Sequence, residues 1–254
     1  MKTVLITGAT SGIGKEFAGV YAKRGYRLLL TGRRIDRLNK MKAKIGDNCR
    51  VIEADLSDED QCLRLLQDIN DEKIDIFINN AGFGTAGNFL ETDLSKEINM
   101  IKVNDIAMHI LFKGILQKME RENGGTILNV ASSAGLLPAG PFMATYYATK
   151  SYVVSLTKAV ACELNEKGGK TYVCCLCPGP VDTEFNENAD VVFALKGISA
   201  KKCVALCLAG MKKQKTVIIP TLRMKLALGF QHFIPEKLLI KMVSGQQKKK
   251  VDEG

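Results

Sequence analysis

The chain has 254 residues, 46% of them hydrophobic and 25% charged, with 23 Gly, 6 Pro and a formal charge of +9. That length supports a substantial core in one large α/β domain or two small ones, and the composition is not that of a disordered or fibrous chain. No uncharged apolar run reaches about 18 residues, so a spanning helix is not expected.

The positive charge belongs to one end. After position 195 there are 13 Lys/Arg against 3 Asp/Glu, whereas the preceding residues are nearly balanced. Such an end suits a solvated basic face or an anionic partner: a phosphorylated carrier, a coenzyme A thioester or a membrane surface. Nucleic acid is not expected, because the charges are not interleaved with aromatics and no recognition motif occurs. Eight cysteines without a secretion signal do not make a disulfide framework, and with only two His in the whole chain they make a poor metal set. We read them as buried thiols, with no metal.

In chain order, Thr3 to Thr7 is a β-prone apolar run that breaks at Gly8, too soon for the core of a signal peptide. It is read as the first strand of a cytoplasmic protein. Gly8, Gly12 and Gly14 then form a strand-to-helix turn with Thr10, Ser11 and Ile13 between them. Missing side chains let the backbone approach a pyrophosphate, and the helix start offers free N–H groups. A second strand, Arg27 to Thr31, ends in Gly32-Arg33-Arg34. An acid at this place accepts from ribose hydroxyls, whereas two guanidinium groups match a 2′-phosphate, so the cofactor expected is NADP(H).

The alternation continues. Cys49 to Ala54 is a strand running into Asp55-Leu56, and Ser57 is expected to cap a helix reaching Asn70. Ile74 to Asn79 is a buried strand followed by Asn80-Ala81-Gly82, small residues against which a cofactor can lie. Asp55 is placed to meet an adenine amine. Asp93 to Lys118 reads as helical with the polar Asn104 in its middle, and Gly124 to Ala131 as a strand delivering Ser132 and Ser133.

Tyr146 and Lys150 stand four apart on the next helix, hence on one face, with Ser133 thirteen residues before the Tyr. A nearby cation favours the phenolate and eases proton exchange with a substrate oxygen, to which Ser133 can add a hydrogen bond. The set suits the interconversion of carbonyl and alcohol, with hydride from a dinucleotide.

Thr171 to Cys177 is a strand broken by Pro178-Gly179-Pro180-Val181-Asp182-Thr183, and a lid is expected from Glu184 to Ile198. A helix (Ser199 to Met211), a last strand (Thr216 to Ile219) and two helical pieces divided at Pro235 complete the chain. The pattern gives an α/β fold, a Rossmann-type doubly wound parallel sheet in one domain, residues 1–254, with lid and C-terminal helices in 184–254. Apolar spacing with Lys between, from Leu222 to Val243, fits ordinary packing, a dimer face, a lid wall or a membrane-surface anchor.

TGATSGIG, Asp55, NNAG, Asn104, Ser133/Tyr146/Lys150 and PGPVDT stand in the order and approximate spacing of the short-chain dehydrogenase/reductase superfamily, which residues 1 to about 220 resemble. The resemblance implies that Ser133 orients the substrate oxygen, Tyr146 is the acid/base, and Lys150 lowers the Tyr pKa and holds the nicotinamide ribose. It implies further that Asn104 anchors a proton-relaying water, that Thr183 meets the carboxamide, and that the protein is a homo-dimer or homo-tetramer. The C-terminal stretch looks like that of a bacterial NADPH-dependent carbonyl reductase branch. The activity expected is reduction of a small-molecule ketone or aldehyde, for example a keto ester. A 3-ketoacyl thioester or hydroxysteroid reductase and a non-catalytic dinucleotide-binding regulator are the alternatives. The expected substrate pocket is formed by Leu136, Leu137, Phe142, Tyr147, Pro180 and Phe185.

Overall fold

Five strands are apolar over nearly their whole length, the composition of strands covered on both faces. The computed structural model describes residues 1–184 and 197–252. The chain runs β1 (Thr3–Thr7), α1 (Gly12–Lys23), β2 (Arg27–Gly32), α2 (Ile35–Ile45), β3 (Cys49–Glu53), α3 (Glu59–Asp68) and β4 (Ile76–Asn79). It continues with α4 (Leu94–Ile101), a π-helical segment (Lys102–Ala107), α5 (Met108–Arg121), β5 (Thr126–Val130), a 3₁₀ turn (Ser133–Leu136), α6 (Ala144–Glu166) and β6 (Tyr172–Leu176). Two short strands, β7 (Val181–Asp182) and β8 (Ile198–Ser199), pair with each other. They are followed by α7 (Ala200–Lys212), β9 (Val217–Ile218), α8 (Leu222–Phe230), a 3₁₀ turn (Gln231–Phe233) and α9 (Glu236–Asp252).

The main sheet has seven parallel strands in the order β3-β2-β1-β4-β5-β6-β9. Alternate residues serve opposite layers, as the two-residue period of a strand demands. Leu5, Leu29, Phe77, Ile127 and Val173 face α3, α5 and α6. Val4, Leu28, Leu30, Ile78 and Leu128 face α1, α2 and α7. Each fully buried Leu or Phe contributes roughly 1.5–3 kcal/mol, and Phe17, Phe77 and Leu5 are all wholly out of water. The thiols share in this: Cys174 packs with Cys203 and Cys207 in one layer, and Cys175 and Cys177 lie in the other.

Two local expectations are corrected. The cap of α3 is Asp58, whose carboxylate accepts from the N–H groups of Asp60 and Gln61, while Ser57 donates to Asp55 at 2.8 Å. A carboxylate next to the first turn also meets the helix dipole, which a hydroxyl does not. The helix drawn from Asp93 to Lys118 is interrupted by the π segment, which carries Asn104 and Asp105. The order of the sheet reverses between β1 and β4, and this opens a crevice at the strands' carboxyl ends.

Candidate active site

A cavity of about 1140 Å³ fills that crevice, walled by the segments that follow β1 through β6 and by α8 and α9. Its floor is the first turn. Gly8 and Gly12 hold positive φ, +62° and +51°, in the left-handed region. Gly14 does not line the cavity; it lies beneath the turn, where a Cβ would stand 2.4 Å from the Gly8 carbonyl oxygen. Thr7 fastens the next segment to this turn, its Oγ1 accepting the N–H groups of Asn80 and Ala81 at 2.8 and 3.0 Å. The Asn80 amide donates in turn to the carbonyls of Thr7 and Gly8. Ser11 caps α1 without a side-chain hydrogen bond, and the first turn holds no acid. The helix start, with Gly12 and Ile13 on the cavity wall, therefore keeps N–H groups for an anionic ligand.

Thr10, Ser11, Arg33, Arg34, Asp55, Leu56, Ala81 and Gly82 line the same half of the cavity, as do Pro178, Gly179, Val181 and Thr183 across it. The Arg34 Nε and a terminal nitrogen donate to the Thr10 hydroxyl at 3.2 and 3.0 Å, and the other nitrogen meets Glu184 at 3.1 Å. Arg37 holds both Glu184 oxygens, at 2.9 and 2.8 Å. Asp55 accepts from the Ser57 N–H and hydroxyl, so its carboxylate is fixed in an Asx turn at the rim.

The reacting end is built on α6. Tyr146 and Lys150 are both buried, with the ammonium 5.8 Å from the centroid of the phenol ring. Lys150 Nζ donates to the Val130 carbonyl at 3.2 Å. The Ser132 hydroxyl hydrogen-bonds Tyr146. Ser132 caps the 3₁₀ turn through the Ala134 N–H at 3.1 Å, whereas Ser133 is the first residue of the turn and is tied by its own N–H to the Pro178 carbonyl at 2.8 Å. Both serines border the cavity.

The phenol is not pulled down as the spacing suggested. Burial pushes Tyr146 up to about 12, partly countered by the Ser132 hydrogen bond. Burial pulls Lys150 down to about 8, against the opposing pull of Asp105 and Cys177. A neutral phenol poised beside a readily titrated ammonium is a proton donor at neutral pH with a nearby group to restore the proton.

Asn104 stands behind this pair instead of on the cavity surface. Its amide donates to the Phe83 carbonyl and the Thr149 hydroxyl, and its oxygen accepts from the Phe83 N–H. A Cβ on Gly82 would lie 2.9 Å from that oxygen and 3.2 Å from Lys150 Nζ, so glycine is what allows the three to meet. Asp105, next to Asn104, has a buried carboxylate oxygen without a hydrogen-bond partner.

The substrate half differs most from expectation. Tyr147, Leu137 and Pro180 line it, but Leu136 and Phe142 do not. Leu136 packs against the core and its carbonyl accepts from Gln231; Phe142 takes a positive φ of +65° and its carbonyl receives the Gly87 N–H. Phe185 and most of the proposed lid lie outside the described residues. Unforeseen walls come from Phe83, Val103 and Met143, and from Leu228, Leu239 and Val243 of α8 and α9. Buried Gln247, also on this wall, donates to the Tyr147 hydroxyl at 2.5 Å.

Comparison with known proteins adds to this geometry. Residues 2–191 match the family model described as short chain dehydrogenase. An uncharacterized oxidoreductase of Staphylococcus saprophyticus is 35% identical over 191 residues, which cover 74% of this chain and 77% of that protein. A short-chain dehydrogenase from Sphingobium yanoikuyae, solved in complex with NADPH, is 29% identical with a TM-score of 0.82, covering 92% of this chain and 94% of that one. The bulky-bulky ketone specific alcohol dehydrogenase from Comamonas testosteroni is 26% identical with a TM-score of 0.77, covering 93% and 96%.

Proposed function

We infer the reaction from a fixed premise, that this chain belongs to the short-chain dehydrogenase family and is an oxidoreductase using a nicotinamide dinucleotide. On our reading it reduces a ketone or aldehyde carbonyl to an alcohol, with NADPH as the source of hydride. One observation carries the proposal. The buried Tyr146 hydroxyl, in hydrogen bond with Ser132 and backed by Lys150, lies between a glycine-floored anion cradle and an apolar chamber.

The residues fit a dinucleotide. The cradle exists because side chains are missing where a Cβ at Gly14 would collide with backbone, and the start of α1 leaves N–H groups to meet phosphate. Arg33 and Arg34 are the groups for a 2′-phosphate, Asp55 for the adenine edge, and Lys150 for ribose hydroxyls. NADPH, when bound, supplies the hydride. Ser132 and Tyr146 hold the substrate oxygen by two hydrogen bonds, and Tyr146 gives it a proton as negative charge develops there. Lys150 then restores the Tyr146 proton. Val103, Leu137, Met143 and Leu228 exclude water from the reacting carbon and favour an apolar substrate.

A 3-ketoacyl thioester or hydroxysteroid is the second reading, favoured by the length of the apolar wall and the basic C-terminal helices. A non-catalytic sensor is disfavoured, since cofactor sensing has no use for a buried Tyr hydrogen-bonded to a serine hydroxyl. NADPH and NADH consumption with a keto ester, a ketoacyl thioester and a ketosteroid tests the proposal. Faster oxidation of NADPH with a ketone substrate is expected. A thioester preference with a KM rising with ionic strength would favour the second reading, and binding of NADPH without turnover of any carbonyl would overturn both.

A further inference from the structure

The C-terminal helices carry an apolar surface that the fold does not use. Leu222, Leu226, Phe230, Phe233, Leu238 and Met242 are each more than half exposed, Phe233 at 84%. Leu222, Leu226 and Phe230 recur every four residues and so share one side of α8. Leu238 and Met242 repeat the spacing on α9, and Phe233 sits in the turn between. Leaving six such side chains in water forgoes their burial, so the surface calls for a partner.

The charges on it select one. Arg223, Lys225, Lys237, Lys241 and Lys248 are exposed among these residues, and the one acid from Leu222 to Lys248 is Glu236. A second copy of the chain, docked about a two-fold axis, would set this basic face against itself. An anionic bilayer meets both properties at once, with acyl chains for Leu and Phe and lipid phosphates for Lys and Arg. The apolar edge of Phe89, Leu90, Leu94 and Ile98 has the opposite balance, with Glu91, Asp93 and Glu97 against the single base Lys96.

We propose that α8, the turn after it and the first half of α9 dock on the surface of an anionic membrane. Phe230 and Met242 belong both to the exposed face and to the cavity wall. Docking therefore brings the mouth of the substrate chamber to the headgroup and acyl boundary. No helix among the described residues is long and apolar enough to span a bilayer, so the contact is interfacial. Resting on the reaction proposed above, the substrate class is an amphiphilic carbonyl compound that partitions into lipid and reaches the site from it.

The test is co-sedimentation of the full-length protein with vesicles of phosphatidylcholine alone and of phosphatidylcholine mixed with phosphatidylglycerol. Mixed vesicles are expected to bind it at least about tenfold more tightly, each cation near the surface being worth about fivefold. Lys237→Gln with Lys241→Gln should weaken binding by about tenfold or more, and high salt should do the same. Leu226→Asp with Phe233→Asp should abolish it, whereas Leu90→Asp, an equal insertion of charge on the acidic edge, should leave it intact. NADPH affinity without vesicles should be the same in all of them. If the double aspartate variant fails to fold, the two glutamines, both at exposed lysines, decide the matter. Failure of the wild type to prefer mixed vesicles, or equal loss with Leu90→Asp, would overturn the proposal. So would sedimentation velocity in which the aspartate variant dissolves a dimer while no variant alters vesicle binding. The readout is binding, so an unproductive substrate panel leaves it standing.

Discussion

Ser132 and Ser133 differ by one position, and only one of them should matter to the chemistry. Removing the Ser132 hydroxyl takes away a donor from the developing alkoxide and the hydrogen bond to Tyr146. Loss of one such donor costs about 2.7–4 kcal/mol of transition-state stabilisation, or 10²–10³ in kcat. The same change uncaps the 3₁₀ turn at the Ala134 N–H. That costs about 1 kcal/mol of stability, a fall in Tm of about 2–4 °C for a domain of this size. Ser133→Ala should change kcat less than about threefold, since its backbone N–H, not its side chain, makes the bond to Pro178. The assay is NADPH oxidation with a saturating ketone, paired with thermal melting of each variant. Equal rates for Ser132→Ala and wild type, or the larger loss in Ser133→Ala, would refute the assignment.

Other predictions follow from neighbouring contacts. Arg34→Ser should raise the NADPH dissociation constant by about 10–100-fold through lost charge-assisted bonds while leaving NADH nearly unchanged; Glu184→Gln, which frees Arg34 and Arg37 from an exposed ion pair, should tighten NADPH by no more than about fivefold. Equilibrium titration of both cofactors checks the two variants. Gly14→Ala forces a Cβ to 2.5 Å from the Asn80 amide nitrogen as well as against Gly8, and should cost about 1–3 kcal/mol by overpacking, read as a lower Tm. Burial pushes the Asp105 carboxyl up to about 7 from 3.8. The folded state then binds this proton more tightly than the unfolded one, so the stability it contributes is full at low pH and is lost as pH rises through 7. Asp105→Asn should remove that loss and gain in Tm over wild type more at pH 8 than at pH 5. It should also move any activity limb set by Lys150 to lower pH, because the Asp105 carboxylate opposes the fall of the Lys150 pKa.

The sheet was legible because parallel strands covered on both faces read as apolar runs, and Ile76 to Asn79 or Tyr172 to Leu176 can be little else. The glycine turn was legible for a related reason: a positive φ at Gly8 and Gly12 leaves few other residues. Counting says least where loop conformation decides. Thirteen residues back from Tyr146 is Ser133, but the 3₁₀ turn puts the preceding hydroxyl against the phenol, and spacing alone carries no information about that turn. The π segment escaped notice because one extra residue per turn barely disturbs an apolar period over six residues. The shift of Tyr146 went the other way because the charge of Lys150 was weighed and the burial of the phenol was not. Gln247 and Val243 reach the chamber from a hundred residues away, by a packing of α9 that no local pattern encodes.

The central claim is that Tyr146 protonates a carbonyl reduced by NADPH. Tyr146→Phe keeps the ring and its packing and removes only the proton donor. Single-turnover oxidation of bound NADPH by an apolar ketone, measured together with NADPH affinity, is the direct test. The expected result is an NADPH affinity within about tenfold of wild type, since Tyr146 is also expected to contact the cofactor and one lost hydrogen bond costs about 0.5–1.5 kcal/mol, and a rate lower by about 10²–10⁴. An undiminished rate with NADPH still bound would contradict it.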